Sequence, residues 1–322
     1  MNCRSALAGA LAAFLLILPF AGNAYWIGVG VDVGLYALLA LSLNVVLGQT
    51  GIFNMGHMAF YAIGAYTTAI LNTDCHWPIF MTMPVAGLAA GLFALVVARP
   101  IIHLRGDYLL IVTIGIVEIV RIALMNDIFG LTGGSNGIFG IGRPVIFGFR
   151  IFRPVHFYWL VWGMVGASIV LFYCLWRSRF GRALNCIKLD DVAAEGCGID
   201  VSRYKLIAFV LGAAWAGMAG TVYAAKMNII TPESFNFMES CIIFAVVILG
   251  GGSLLGVLVS ALLFIGLPEV LREFSNCRML IFGVAMMVMM IWRPQGILPP
   301  LPRPYAVKMR SEAASADEGG RA

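Results

Sequence analysis

Long apolar stretches recur along this chain at lengths that only a lipid bilayer requires. Residues 27–47, 81–98, 108–125, 157–176 and 206–225 are nearly unbroken runs of apolar side chains. A helix needs about 20 such residues to cross the ~30 Å hydrocarbon layer, with every backbone N–H and C=O paired inside the segment. None of the runs alternates with period two as a barrel strand would, so the fold class is all-α. Composition agrees, with 61% of the 322 residues hydrophobic and 11% charged, against roughly 45–50% apolar in a soluble domain. The net charge of +5 sits on basic residues scattered through inter-helix loops. That pattern orients a protein in a bilayer and does not make a nucleic-acid surface. Seven cysteines are too few for a disulfide framework, and their spacing suggests no metal. Cys75 and Cys277 fall near the same predicted membrane face, which leaves a bridge between them open.

Taken in order, residues 1–24 read either as a signal peptide or as a first, uncleaved span; the length of the apolar run favours the span. The second span holds Asp32 and ends near Asn44, and the chain then turns through Gly48, Gln49, Thr50 and Gly51. The third segment, GIFNMGHMAFYAIGAYTTAIL, is apolar enough to enter the bilayer but is studded with Asn54, Gly56, His57 and Gly64. An interrupted or re-entrant helix beside a cavity accounts for this, as does a span whose glycines allow close packing. In the fifth span Glu118 and Arg121 stand three residues apart on one helical face. They form either a functional intramembrane pair or one that fixes packing near the outer end. Residues 126–154 form a glycine-rich loop containing LTGGSNGI, which lacks the Lys-Ser/Thr and preceding strand of a phosphate-binding loop. Gly212, Ala216, Gly217 and Gly220 in the seventh span predict close helix packing. A turn at Thr231, Pro232 and Glu233 precedes an eighth span at 241–249. Glycines 250–252 reverse the chain into a ninth at 254–270, and a tenth follows at 279–292. The expectation is a polytopic membrane protein of about ten transmembrane helices, with a transmembrane domain over 1–305 and a polar tail over 306–322.

The longest polar interruption is residues 177–205, RSRFGRALNCIKLDDVAAEGCGIDVSRYK, strung between two spans with a short helical core at 190–196. With both termini inside, fourteen of the 21 Lys and Arg residues fall on cytoplasmic segments and seven outside, among them Arg143, Arg150 and Arg153. The positive-inside bias therefore puts this handle in the cytoplasm and the 126–154 loop outside. No His, Asp or Glu cluster has ligand or acid–base spacing, so no catalytic residue, metal or cofactor is expected.

Several motifs together carry a family resemblance: LNVVLGQTGIFNMGHMAFYAIGAY, LTGGSNGI, DDVAAEGCGIDVSRYKLIAFVLGAAWAGMAG, TPESFNFMESCIIFAVVILGGGSLLG and RPQGIL. They look like the LivM-type permeases of bacterial branched-chain amino acid ABC transporters, over nearly the whole chain. The resemblance implies an inner-membrane permease working with a second, related permease, two ATPase subunits and a periplasmic binding protein. It also makes the handle a coupling loop. Ala193, Ala194, Glu195 and Gly198 match the pattern of the short helix that docks on the ATPase, with Asp190, Asp191 and Asp200 around it. Asp190 and Asp191 suit a helix amino terminus and Gly198 its end. Gly196 and Cys197 depart from the better helix formers of relatives, which predicts a short helix. Asn44, Gln49, Asn54, His57 and Glu118 become candidates for lining the path of a zwitterion, His57 being equally readable as a packed histidine. The binding protein would dock on the 126–154 loop and the turn at 231–237. Similar permeases carry urea, short amides or other amino acids. An alternative of another class is an ion-gradient-driven transporter coupled through Asp32, Glu118 and Arg121.

Overall fold

A computed structural model describes residues 23–270 except 105, 128, 129, 147, 148, 151 and 152, together with 19, 283, 284, 287, 291, 292 and 296–298. Five described helices are long and apolar enough to cross a membrane. They are α1 (Ala24–Thr50), α3 (Ile79–Ile101), α4 (Asp107–Met125), α5 (Pro154–Arg177) and α8 (Val201–Met227). Shorter apolar helices are α2 (His57–Thr73), α9 (Phe237–Gly250) and α10, which starts as Leu254–Ala261 and continues through a π turn at Leu262–Gly266 to Val270. Two more, α6 (Arg179–Leu189) and α7 (Asp191–Gly196), form the handle. The first segment, most of the tenth, the tail and Cys277 lie outside the described residues.

The interruption expected in the third segment lies ahead of its helix and not within it. After α1 ends with Gly51 in left-handed geometry (φ 72°), residues 51–56 run without helix, and α2 then passes through Gly64 unbroken. At 1.5 Å per residue its 17 residues reach only about 25 Å, short of the ~30 Å hydrocarbon layer. The start of α8 also differs from the expected 206, because Asp200 caps it by accepting from the Arg203 amide at 3.1 Å and the polar SRYK segment is already helical. Asn236 likewise starts α9 four residues ahead of 241, accepting from the Glu239 amide.

Helix α1 is the axis of the bundle: 83% of its apolar window is buried, against 22% for α4 and α5. It packs on α8, α5, α9 and α10. Around it, α2, α3 and α8 approach through small residues. A Cβ on Gly64 would lie 2.2 Å from the Gly217 carbonyl oxygen, and one on Gly217 would lie 2.5 Å from Ala90 Cβ. Where lipid tails remove the hydrophobic drive between helices, such close van der Waals contact is a main source of cohesion.

The polar loops close each end. Glycines of LTGGSNGI serve backbone approach: Gly137 has φ 75°, and a Cβ there would sit 1.9 Å from the Ile230 carbonyl oxygen. This lets β1 (Ile138–Phe139) pair antiparallel with β4 (Ile229–Ile230), the strand following α8. A second small ribbon joins β2 (Val145–Ile146) to β3 (Phe149–Arg150). These strands are an addition to the all-α expectation: β2 and β3 pair within the 126–154 loop, whereas β1 pairs outside it with the segment that follows α8. At the loop's start, Asp127 accepts from the Thr132 amide at 2.8 Å and its hydroxyl at 2.9 Å. Those two donors hold its carboxyl below the usual carboxylate range.

Candidate functional site

The handle occupies the end of the bundle where α1 finishes and α4 begins. Ser178 starts α6 by accepting from the Gly181 amide at 3.3 Å, and the helix buries Ala183, Leu184 and Ile187 on one face. Asp190 both ends α6 and caps α7, accepting from the Val192 and Ala193 amides at 2.9 and 3.1 Å. One residue thus joins two helices with no loop between them, its amide closing α6 on the Cys186 carbonyl and its carboxylate opening α7. The turn out of α7 uses Gly198 at φ 80°, while the Ala194 carbonyl accepts from the Ile199 amide at 3.1 Å. Helix α7 has six residues, as the Gly-Cys departure predicts. Asp191 pairs with Lys205 on α8 at 2.5 Å, and Phe180 stacks on Tyr204. Ala194 is buried beneath, whereas Ala193 and Glu195 face outward.

Two neighbours of this stretch were not singled out by the sequence motif. Leu189 is 88% exposed and Val192 67% exposed, so the handle's tip carries apolar side chains among acids. Lys188 reaches the other way. Its Nζ donates to the Gly48 carbonyl at 2.7 Å, near the C-terminal end of α1, where cations are favoured. Burial lowers the Lys188 pKa. A cavity of about 410 Å³ lies between Lys188–Val192 of the handle and Thr50 at the end of α1 with Gly51–Phe53 of the non-helical segment.

The polar residues around that segment are buried. His57 Nε2 lies 2.7 Å from Ser42 Oγ, and the Ser42 hydroxyl donates to the Leu39 carbonyl. The imidazole therefore donates through Nε2 and leaves Nδ1 without a partner. Asn54 Oδ1 accepts from the Gly56 amide at 2.8 Å, and Asn44 Nδ2 donates to the Gly252 carbonyl at 3.4 Å. Asn54 Nδ2 and Asn44 Oδ1 are, like His57 Nδ1, buried without a hydrogen-bond partner. Gln49 is buried beside them in sequence. Glu118 and Arg121 form the expected pair at 2.8 Å, partly exposed, in the second half of α4.

Toward the opposite end, a second polar group comes together from α1, α2, α8 and α9. Asp32 pairs with Lys226, and the Tyr36 hydroxyl donates to Glu239 at 2.6 Å. Asp32, Tyr36, Glu239, Tyr61, Tyr223 and Ser234 line a cavity of about 240 Å³ whose remaining wall is Leu35, Leu39, Met58 and Met227. Lys226 lines a neighbouring cavity of about 260 Å³ together with Arg143 and Arg153. Of this group only Asp32 stands out in the sequence; Tyr36 follows it on α1, but their partners Lys226 and Glu239 lie 194 and 203 residues further along the chain, and only folding assembles them. Phe235 packs against Tyr61, Tyr66 and Tyr223 and fixes the turn at Pro232–Phe235.

Comparison with known proteins bears on the chain as a whole. Residues 25–291 match the family model described as the permease component of the branched-chain amino acid transport system. The chain is 39% identical to the high-affinity branched-chain amino acid permease protein LivM of Escherichia coli K12, over 88% of this chain and 72% of that protein. It is 28% identical to LivH of the same organism, over 84% and 93%. A probable LivM of Methanocaldococcus jannaschii is 23% identical, over 84% and 92%. No solved structure gives a significant match.

Proposed function

The chain belongs to the branched-chain amino acid transport permease family, and from that premise we propose that it is one of two related permeases in an ATP-binding-cassette importer. It is a transport component and not an enzyme. The importer carries branched-chain amino acids across the bacterial inner membrane, fed by a periplasmic binding protein and driven by two partner ATPases. That Escherichia coli K12 has two relatives of this chain, at 39% and 28% identity, supports a pair of related permeases.

The observation that carries the reading is the architecture of the handle. Asp190 fuses α6 to α7, and Lys188 fastens α6 to the end of α1. Movement imposed on the exposed face of Leu189, Val192, Ala193 and Glu195 by an ATPase therefore reaches the most buried helix of the bundle. Asp191, through Lys205, and the turn at Gly198 hold α7 in place from behind, and Asp200 starts α8 beside it. In this reading the chain has about ten spans with both termini in the cytoplasm. The 126–154 loop and the 231–237 turn face the binding protein.

Asn44, Gln49, Asn54, His57 and Glu118 are the path residues of this proposal. Unpaired buried polar atoms are rare in folded proteins and call for an explanation. Asn44, Asn54 and His57 each have one, and helices that part during the cycle would expose these atoms to substrate or water. If alanine at each of the five positions left uptake unchanged, this assignment would be wrong.

The test of the whole reading is gentle detergent purification of the chain from its native membrane, with mass spectrometry of what accompanies it, repeated for Glu195→Lys and Gly198→Trp. The expected result is a second permease and ATPase subunits with the native chain, and loss of the ATPases alone in the variants. Recovery of the chain by itself, with full uptake into vesicles lacking ATP, would overturn it in favour of a gradient-driven transporter.

A further inference from the structure

We propose that the Asp32–Lys226 ion pair is a transit site that opens to receive a zwitterionic aliphatic amino acid, its ammonium turning to Asp32 and its carboxylate to Lys226. The inference rests on the importer reading and identifies one place where its cargo is held.

Three features of the structure lead to it. First, the pair lies at the partition between two cavities. Asp32 belongs to the wall of the one that also carries Glu239, Tyr36, Tyr61 and Tyr223. Lys226 belongs to the wall of the one that carries Arg143 and Arg153. One side thus offers carboxylates and tyrosine rings, which attract an ammonium, and the other offers cations, which attract a carboxylate. Second, the acidic cavity has an apolar wall of Leu35, Leu39, Met58 and Met227, suited to a branched aliphatic side chain; methionine in particular adapts to varied shapes. Its 240 Å³ is somewhat below the roughly 300–1,000 Å³ of drug-sized ligand sites and suits a smaller solute. Third, the pair is only partly enclosed, Asp32 keeping 41% and Lys226 21% of its side-chain exposure.

The physical logic is exchange without an orphaned charge. A zwitterion entering a low-dielectric bundle carries two charges that must each be paired. A protein ion pair that parts around it replaces one contact with two, so neither substrate nor protein is left with an isolated charge at any stage. Glu239, held by Tyr36 at 2.6 Å, supplies a second carboxylate for the ammonium as it moves along α1.

The test is photolabelling during turnover. The assembled transporter in lipid vesicles, with ATP and binding protein, is given the diazirine analogue of leucine, and labelled peptides are mapped by mass spectrometry. Labelling is expected within residues 31–39, 58–61 and 223–227 and suppressed by excess leucine. Asp32→Asn together with Lys226→Gln, which keeps a hydrogen-bonding pair of similar shape, should lower it by about tenfold or more, a difference of about 1.4 kcal/mol in occupancy. Labelling confined to other segments in the native chain, or undiminished in the double variant, overturns the proposal whatever the variant does to folding. Absence of leucine uptake by the native assembly would instead overturn the importer reading on which it rests.

Discussion

Substituting Gly64 with alanine should separate two helices that the fold holds in backbone contact. The new Cβ would lie 2.2 Å from the Gly217 carbonyl oxygen and 2.4 Å from Gly217 Cα, whereas carbon atoms prefer about 3.5–4.0 Å. Relief requires α2 and α8 to part by roughly 1 Å at the crossing. Helix α8 has little room to retreat, because a Cβ on Gly217 would meet Ala90 Cβ at 2.5 Å and the Ala86 carbonyl at 2.7 Å on α3. Overpacking of this kind costs about 1–3 kcal/mol, and the upper half of that range applies where both neighbours are backbone. The matched control is Gly115→Ala on α4, where a Cβ meets nothing within 4 Å and helix propensity improves by roughly 0.8–1 kcal/mol. Unfolding followed by far-ultraviolet circular dichroism in mixed micelles of rising dodecyl sulfate should show Gly64→Ala clearly below the native chain and Gly115→Ala level with or above it. Equal stability of the two variants would refute the packing argument.

Lys188→Met removes a charged hydrogen bond worth about 1.5–3 kcal/mol, part of it offset by sparing a cation from burial. ATP turnover should continue with roughly 5–30-fold less transport per ATP, and Lys188→Arg should keep more of it. Unchanged coupling in the reconstituted importer would count against the link from α6 to α1. Asp190→Ala deletes the cap of α7 and should weaken ATPase association by about fivefold, the equivalent of ~1 kcal/mol, read by titrating ATPase onto the immobilised permease. Gly137→Ala should break the β1–β4 pairing, detected as faster proteolysis within residues 126–154 in intact spheroplasts. The Asp127 turn should keep the Thr132 amide protected from exchange as pH falls to the ordinary carboxylate range. Because the folded pKa is depressed, protection should be lost only below that range.

Five of the spans were legible because membrane insertion demands long apolar runs, and the handle because polar residues between such runs have few other places to be. Capping chemistry also read through: Asp190 and Gly198 sit where acid and glycine suit helix ends. What the sequence hid was anything set by which helices become neighbours. Gly48, Lys188 and Gly252 meet at one end, and Asp32, Lys226, Tyr36 and Glu239 toward the other, across separations of more than 100 residues. His57 is a path candidate because polar groups within an apolar run draw attention. Its bond to Ser42, two residues before Asn44, depends on how α2 folds back on α1 and has no local signature. The bounds of α8 and α9 were misjudged where capping by Asp200 and Asn236 extends helix beyond the apolar run.

The central position of α1 has a consequence for how the protein is made. It is the first of the described helices to leave the ribosome, yet among its neighbours are α8, α9 and α10, the last of which begins at Leu254. At about 5–20 residues per second, some 200 residues of further synthesis take roughly 10–40 s. For most of that interval a helix that ends as the core must reside in lipid, or against the insertion machinery, carrying Asp32 before its partner Lys226 has been synthesised. Until Lys226 emerges, Asp32 therefore lacks the cation that it pairs with in the folded bundle.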